Sequence, residues 1–299
     1  MALDITGSLV ALVTPMQENG EIDFPAFDRL VDWHVKAGTG AIVVVGTTGE
    51  SATLTPEEHC GLVKHCVQTA NGRIPVIAGA GSNSTTEAMM FTQSAKDYGA
   101  DAALLVTPYY NKPPQEGLYQ HFATIAEAVD LPQILYNVPG RTACDLHLDT
   151  VRRLAKLKNI VAIKDATGDL QRGIELVREL GEELTVYSGE DSLTLPLMLA
   201  GAKGTISVTA NVAPEQMARM CAAALAGDEA VATAADEKLA GLHENLFLQA
   251  NPIPVKWALQ RMQLIGSHIR LPMVVLDTAY HEKVEQALRA AEITLPEAA

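Results

Sequence analysis

The sequence predicts a (β/α)₈ TIM barrel with a C-terminal helical extension, on three observations. Eight short apolar runs recur along the 299 residues, at 8–13, 41–46, 74–79, 102–107, 133–138, 160–164, 184–189 and 204–209. Consecutive runs start roughly 20 to 34 residues apart, which is the length of one strand–helix unit. The runs are apolar throughout rather than alternating, as is typical of parallel strands covered on both faces. Eight such units favour a closed barrel, because a doubly wound sheet usually has fewer strands.

The segments between the runs carry signals that start helices. In 55–70, Thr55 can cap a helix, Pro56 suits its first position and Glu58 completes a capping box. Polar or acidic first turns with helical periodicity also occur in 84–100, 116–130 and 169–181. We expect each of these segments to form the helix that leads from one strand to the next.

The last quarter of the chain has a different composition. From about residue 225 the sequence is rich in alanine and helical in pattern, as in AAALAGDEAVATAADEKLAGLHENLF. It contains no low-complexity linker that would separate a second module. We therefore expect a catalytic barrel over 1–224 and a helical region over 225–299 that packs on the barrel.

Composition and charge exclude several classes of function. The chain is 48% hydrophobic, so it can bury a large core, and its formal net charge is −14. Nucleic-acid binding needs clustered lysine and arginine, and an anionic membrane surface repels an acidic protein. No stretch approaches the roughly 18 apolar residues of a membrane span. We therefore expect neither a nucleic-acid partner nor a membrane partner, and any anionic ligand requires local counter-charges.

The sequence also argues against a metal site, a nucleotide cofactor and secretion. No H-E-x-x-H motif occurs, the eight histidines form no cluster, and GAGSNS has Ser84 where a dinucleotide fingerprint needs glycine. The first residues, MALDITGSLVALVTP, lack the basic start of a signal peptide. The cysteines form no C-x-x-C pair and fit buried thiols of a reducing compartment: Cys60, Cys66, Cys144 and Cys221. We expect a cytoplasmic protein without metal or cofactor.

The candidate chemistry centres on the lysine that ends the sixth run, IVAIK. Active sites of (β/α)₈ barrels lie at the carboxyl ends of the strands, which places Lys164 near Tyr136 and Thr47. A lysine at a sheet edge often prevents aggregation, but a closed barrel has no edges. A desolvated lysine can instead attack a carbonyl and form a Schiff base. A structural ion pair of Lys164 with Asp165 or Glu190 remains an alternative.

Three other features at strand ends have both a structural and a functional interpretation. Tyr136 is either a core aromatic or an acid–base group beside the lysine. GTTGE at 46–50 is either a plain turn or a cradle for a carboxylate. Arg141 is either a solvated loop residue or a clamp for a carboxylate, since it stands out in an acidic protein.

Six stretches of the chain together resemble the dihydrodipicolinate synthase family of pyruvate-dependent class I aldolases: GTTGESATL, VTPYYNKPPQEGLYQHF, ILYNVPGRT, IVAIKDATGD, ISVTANVAP and NPIPVKWAL. The resemblance extends over roughly residues 3 to 295. It implies condensation of pyruvate with L-aspartate 4-semialdehyde to 4-hydroxy-tetrahydrodipicolinate, in lysine and diaminopimelate biosynthesis. N-acetylneuraminate lyase is similar in GTTGE, YN and the lysine, so a sugar-acid lyase is the alternative. Arg141 favours the synthase.

The resemblance implies roles for individual residues. Lys164 forms the Schiff base with pyruvate, and Tyr136, Thr47 and Tyr110 form a proton relay. Tyr110 is expected to reach the site of a neighbouring subunit, which implies a homotetramer built as a dimer of dimers. The expected substrate contacts are Thr48, Gly49, Arg141, Gly189 and Ile206. A non-catalytic carbonyl sensor on the same scaffold is a further alternative, but it would be expected to lose the lysine, the tyrosine or the threonine.

The resemblance also implies an allosteric site for L-lysine at a subunit interface. The matching positions are Ser51, Ala52, His59, Asn83, Glu87 and Tyr109. Asn83 and Glu87 also suit the first turn of a helix, which is the structural alternative. Pro56 stands where lysine-sensitive relatives have a histidine, so one contact to the inhibitor should be missing and inhibition should be weak or absent.

Overall fold

Eight parallel strands pair in chain order and close into a barrel, in which β1 also pairs with β8. The computed structural model describes residues 4–297. The strands are β1 Gly7–Ala11, β2 Ala41–Val44, β3 Val76–Gly79, β4 Ala102–Val106, β5 Gln133–Asn137, β6 Ile160–Asp165, β7 Thr185–Ser188 and β8 Gly204–Ser207. The predicted (β/α)₈ barrel is confirmed.

Helices follow each strand and continue into the C-terminal region. They are α1 Phe24–Ala37, α2 Pro56–Ala70, α3 Thr85–Asp97, α4 Gln115–Ala128, α5 Pro139–Thr142, α6 Leu148–Leu154, α7 Leu170–Leu180, α8 Thr194–Leu199, α9 Pro214–Leu225, α10 Glu229–Asn245, α11 Ile253–Arg261 and α12 His281–Ala290. Helix α9 completes the barrel, and α10 packs between α9 and α12. The helical C-terminal extension is therefore present and packs on the barrel.

The predicted start of α2 is reproduced in full. The side chain of Thr55 accepts a hydrogen bond from the backbone N–H of Glu58, and the Glu58 carboxylate accepts one from the backbone N–H of Thr55. Pro56 occupies the first position of the helix. These reciprocal bonds satisfy two of the donors that a helix start leaves free.

Two layers of apolar side chains hold the barrel. The larger lies between strands and helices and includes Phe27, Leu62 and Phe122, all fully buried. The smaller fills the interior of the barrel and includes Leu9, Ile77, Ile134, Tyr136, Tyr187 and Ile206. A packed interior leaves only the ends of the strands open for chemistry.

The predicted strand limits were too long by two residues at the carboxyl ends of β1, β2 and β8, and at β2 and β8 the backbone turns away. Strand β2 was predicted to continue to residue 46 but ends at Val44, because Val45 has φ 49° and leaves the extended conformation. Strand β8 was predicted to reach residue 209 but ends at Ser207, where a short 3₁₀ turn over Thr209–Asn211 begins. Both departures lie at the end of the barrel that carries the candidate site.

Every helix within residues 4–297 is too short or too polar to cross a membrane.

Candidate active site

Lys164 and Tyr136 lie side by side on neighbouring strands at the carboxyl end of the barrel. They are register partners in the pairing of β5 with β6. The Nζ atom of Lys164 lies over the Tyr136 ring, 4.3 Å from its centroid. The two residues are 6% and 7% exposed. A partly desolvated amine on an aromatic face, beside a phenol, is suited to carbonyl chemistry with proton transfer.

A cleft of about 490 Å³, including its opening, surrounds this pair. Its polar lining consists of Thr47, Thr48, Tyr136, Arg141, Lys164, Glu190 and Asn251. Its apolar lining consists of Ala11, Val43, Leu104, Val138, Ala166, Val208 and Phe247. Polar groups that converge between apolar walls are typical of a small-molecule site.

The cleft requires a glycine at the end of β7. A Cβ built on Gly189 would lie 2.6 Å from the Cβ of Ala166 and 2.9 Å from both the Asp165 carbonyl oxygen and the Cε of Lys164. Side-chain atoms do not approach this closely without displacement. Gly189 therefore leaves the space that the stem of Lys164 occupies.

The GTTGE segment forms a tight turn directly after β2. Val45, which precedes it, and Glu50, its last residue, have φ of 49° and 58°, a region that a β-branched residue such as valine rarely adopts. Gly79 of β3 packs so closely that a Cβ there would lie 2.3 Å from the Val45 carbonyl oxygen. Strain of this kind persists only where the surroundings enforce it, which is common at functional sites.

The turn is held from the C-terminal region by three contacts, two of them between buried side chains. The amide of Asn251 donates to the Thr48 hydroxyl at 3.0 Å. The Lys256 ammonium lies 2.5 Å from the Glu50 carboxylate, with both side chains buried. The backbone N–H of Arg270 donates to the same carboxylate at 3.3 Å. The C-terminal helices thus fix the conformation of the turn that lines the cleft.

Arg141 lies at the rim of the cleft, in the short helix α5 that follows β5. Its side chain is exposed and donates to the Asn251 carbonyl at 3.4 Å. Since no carboxylate within residues 4–297 is paired with it, its charge is available to an anionic ligand.

The two acids beside Lys164 do not pair with it. The Asp165 carboxylate accepts from the N–H and hydroxyl of Thr167, and its other oxygen lies 3.5 Å from the Arg172 guanidinium. Burial raises the pKa of Asp165 above its usual value. Among residues 4–297, no ion pair involves Lys164 or Glu190. The ion-pair alternative for Lys164 is therefore not realised.

The structure brings most of the predicted site residues together. Six line the cleft: Thr47, Thr48, Tyr136, Arg141, Lys164 and Gly189. Three do not line it: Gly49, Ile206 and Tyr110. The Gly49 carbonyl accepts from the Thr14 hydroxyl at 2.7 Å, and Ile206 is buried inside the barrel. Tyr110 is 89% exposed, with φ 73°, and points into solvent in the single chain.

The residues predicted for an allosteric site lie around the starts of α2 and α3. Asn83 donates to the Tyr109 carbonyl at 3.2 Å, and the Ser82 hydroxyl donates to the Glu87 carboxylate at 2.5 Å. The His59 ring contacts the Gly79 carbonyl at 2.8 Å. Ser51 and Ala52 lie in the 3₁₀ turn Ser51–Thr53. A second cavity joins this region to the cleft, because Ser51, Thr47 and Tyr136 all line it.

Sequence reasoning missed the two residues that the C-terminal region contributes to the cleft. Asn251 and Phe247 come from the segment between α10 and α11, far along the chain from the strand ends. The only signal in the sequence that could have indicated Asn251 was the segment NPIPVK, which begins at this residue.

The fold and the cleft define a class: a (β/α)₈ barrel lyase of the class I aldolase type. The chain belongs to the Dihydrodipicolinate synthetase family, whose model matches residues 4–291.

Relatives of known name and structure agree with this family. A 4-hydroxy-tetrahydrodipicolinate synthase of Marinobacter nauticus is 60% identical, over 97% of this chain and 99% of its own length. One from Stutzerimonas stutzeri is 59% identical, over 95% and 98%. The crystal structure of a chloride-inhibited dihydrodipicolinate synthase from Acinetobacter baumannii, complexed with pyruvate, superposes with a TM-score of 0.96. It is 56% identical, over 97% of this chain and 100% of that one.

Proposed function

We propose that this chain condenses pyruvate with L-aspartate 4-semialdehyde to give 4-hydroxy-tetrahydrodipicolinate, a step of lysine and diaminopimelate biosynthesis. The observation that carries the proposal is the buried Lys164 amine over the Tyr136 ring in a cleft of the family's barrel. The pyruvate bound by the Acinetobacter baumannii relative supports the first substrate. The four free cysteines fit the cytoplasm, which keeps thiols reduced.

Pyruvate would react first. The neutral Lys164 amine attacks the ketone carbon, and the resulting carbinolamine loses water to form an iminium ion. The Tyr136 hydroxyl supplies the proton that the leaving oxygen needs and later removes one from the methyl group to give the enamine. Thr47 passes this proton onward, and the Thr48 hydroxyl with the Gly49 backbone holds the pyruvate carboxylate.

L-Aspartate 4-semialdehyde would react second. Arg141 pairs with its carboxylate through a charge-assisted contact at the rim. The enamine carbon attacks the aldehyde, which becomes the 4-hydroxyl group. The substrate amine then attacks the iminium carbon, closes the ring and displaces the amine of Lys164. Gly189 keeps the space that this lysine needs, and the Ile206 carbonyl forms part of the floor of the site.

A homotetramer built from tight dimers would complete the site. Tyr109 and Tyr110 are 40% and 89% exposed, which is unusual for adjacent aromatic residues of a monomer. In the proposed dimer Tyr110 enters the partner's site and completes the proton relay. Mixing Tyr110→Phe subunits with Lys164→Ala subunits should then restore activity, because one site of each mixed dimer is intact. No restoration, or a fully active monomer in sedimentation, would contradict this.

L-Lysine would bind weakly at the interface, near Ser51, Ala52, His59, Asn83, Glu87 and Tyr109. Glu87 can receive the α-ammonium group, Asn83 and Tyr109 the carboxylate, and His59 the side-chain amine. Pro56 removes one donor–acceptor contact to that amine, which costs about 1.5–3 kcal/mol. We expect incomplete inhibition in a lysine titration, with binding visible by calorimetry. Tight and complete inhibition would contradict the argument from Pro56.

A coupled assay tests the proposed reaction. Purified protein with pyruvate and L-aspartate 4-semialdehyde should yield a product that dihydrodipicolinate reductase turns over with NADPH. The Arg141→Ala variant should raise KM for the aldehyde by about 10- to 150-fold, while KM for pyruvate stays near the wild-type value. Release of pyruvate from a sugar acid, without condensation, would instead indicate an N-acetylneuraminate lyase.

A further inference from the structure

Among residues 4–297, Glu190 is the only carboxylate that lines the cleft. The other charged groups of the lining are the Lys164 amine and the Arg141 guanidinium. Glu190 directly follows Gly189 at the end of β7, so it lies next to the stem of Lys164. Its charge therefore faces the same space as the two cationic groups.

The carboxylate of Glu190 has no internal partner within residues 4–297. The backbone N–H of Glu190 donates to the Ser188 hydroxyl, and its carbonyl accepts from the hydroxyls of Ser188 and Thr194. These contacts fix its backbone and leave the side chain free. Asp191, the next residue, is bonded through one oxygen, since its Oδ2 accepts from the N–H groups of Val208 and Thr209.

A half-buried carboxylate without a partner is costly unless a ligand supplies one. Burial and the neighbouring Asp191 raise the pKa of Glu190, and Lys164 and Arg141 offset this only in part. A cation that enters the cleft therefore finds an acceptor that no side chain or backbone group of residues 4–297 already bonds.

We propose that Glu190 binds the α-ammonium group of the second substrate and selects amino-acid aldehydes over aldehydes that lack the amine. The inference rests on the proposed function, because L-aspartate 4-semialdehyde carries a carboxylate and an ammonium group on one carbon. Arg141 binds the carboxylate and Glu190 binds the ammonium group, so two opposite charges of the cleft bind one zwitterionic substrate. The aldehyde end then extends toward the carbon that Lys164 carries.

The test compares two aldehydes that differ only in the amine. Succinate semialdehyde has the carboxylate and aldehyde of the substrate, with hydrogen in place of the ammonium group. The Glu190→Gln variant should raise KM for L-aspartate 4-semialdehyde by about 10- to 150-fold, the effect of one contact to a charged group. Its inhibition constant for succinate semialdehyde should equal that of wild type. KM for pyruvate and trapping of pyruvate by borohydride should also be unchanged.

Two variants serve as controls. Glu190→Asp keeps the charge on a shorter side chain and should recover part of the affinity, which a purely structural role would not produce. Glu183→Gln removes an exposed carboxylate at the opposite end of the same strand and should leave every constant unchanged.

The outcomes separate the two proposals. Equal effects of Glu190→Gln on both aldehydes, or no effect on either, overturn the assignment of Glu190. If the Glu190→Gln variant does not fold, the same comparison is made with Glu190→Asp, and equal effects on both aldehydes again overturn it. If the wild-type protein forms no product from pyruvate and L-aspartate 4-semialdehyde, the result contradicts the proposed function and the role of Glu190 that rests on it.

Discussion

Replacing Lys256 by methionine should destabilise the protein and disturb the cleft together. The Nζ of Lys256 lies 2.5 Å from the Glu50 carboxylate, and the two side chains are 5% and 2% exposed. Burial lowers the pKa of Lys256, although Glu50 opposes this. Methionine keeps the apolar stem but leaves the Glu50 charge buried with only the Arg270 backbone N–H as donor. Removing one partner of a buried pair costs about 3–5 kcal/mol.

That loss can be measured as a shift in melting temperature. Domains of 150–250 residues lose about 2–4 °C per kcal/mol, so a loss of about 3–5 kcal/mol corresponds to roughly 6–20 °C. Because this chain has 299 residues, the shift in its melting temperature should lie toward the lower end of that 6–20 °C range. KM for pyruvate should rise as well, because Glu50 ends the turn that carries Thr48 and Gly49. Differential scanning fluorimetry and the coupled assay give the two readouts.

An exposed pair in the same region is the matched control. Lys238 and Glu292 lie 2.7 Å apart, with side chains 51% and 67% exposed, so Lys238→Met should leave the melting temperature near that of wild type, because exposed ion pairs contribute little. The double variant Glu50→Gln/Lys256→Met removes both buried charges and should be more stable than the sum of the single losses predicts. A Lys256→Met variant as stable as Lys238→Met, or strict additivity in the double variant, would refute the reasoning.

Three further outcomes are expected. Tyr136→Phe should lower turnover by about 10²- to 10⁴-fold in the coupled assay, because the acid–base hydroxyl is lost. The melting temperature should stay near that of wild type. Near-normal turnover would show that Tyr136 has only a structural role. Gly189→Ala should lower both turnover and the rate of borohydride trapping by more than about tenfold, because the new Cβ displaces Lys164. Unchanged rates would show that Lys164 is not displaced. Burial lowers the pKa of His34 from 6.5 to about 3. Below pH 6.5, His34 therefore binds a proton in the unfolded chain but stays neutral in the folded chain. The free energy of unfolding falls as the pH decreases. This amounts to about 2 kcal/mol by pH 5. Urea unfolding should show that the free energy of unfolding of His34→Gln decreases between pH 8 and pH 5 by that much less than the free energy of unfolding of wild type. An equal decrease in both proteins would contradict this.

The sequence predicted those parts of the fold that depend on local pattern. Apolar runs located all eight strands, and the capping box at Thr55 located the start of α2, because these signals lie within a few residues. The strand ends also predicted that Lys164 and Tyr136 meet, since parallel strands in chain order carry their carboxyl ends to one side of the barrel. The carboxyl end of β2 was missed because no local pattern signals the positive φ of Val45, which lies in a turn that packs closely against Gly79.

The contacts between the barrel and the C-terminal region could not be predicted from the sequence. Asn251 meets Thr48 across 203 residues and Lys256 meets Glu50 across 206. Neither pair belongs to a periodic pattern or a turn, and only the tertiary packing of α11 against the barrel brings the partners together. The missing partner of Glu190 is likewise visible only in the structure, because a sequence does not reveal which carboxylates are left unpaired.

The proposed reaction depends most directly on Lys164 as the amine that captures pyruvate. Borohydride reduction in the presence of pyruvate, followed by digestion and mass spectrometry, should place a single adduct on the peptide that contains Lys164, through a bond from Nζ to the former ketone carbon. The Lys164→Ala variant should give no adduct, although Lys256 and the exposed lysines remain. An adduct on another lysine of wild type, or none at all, would contradict the account.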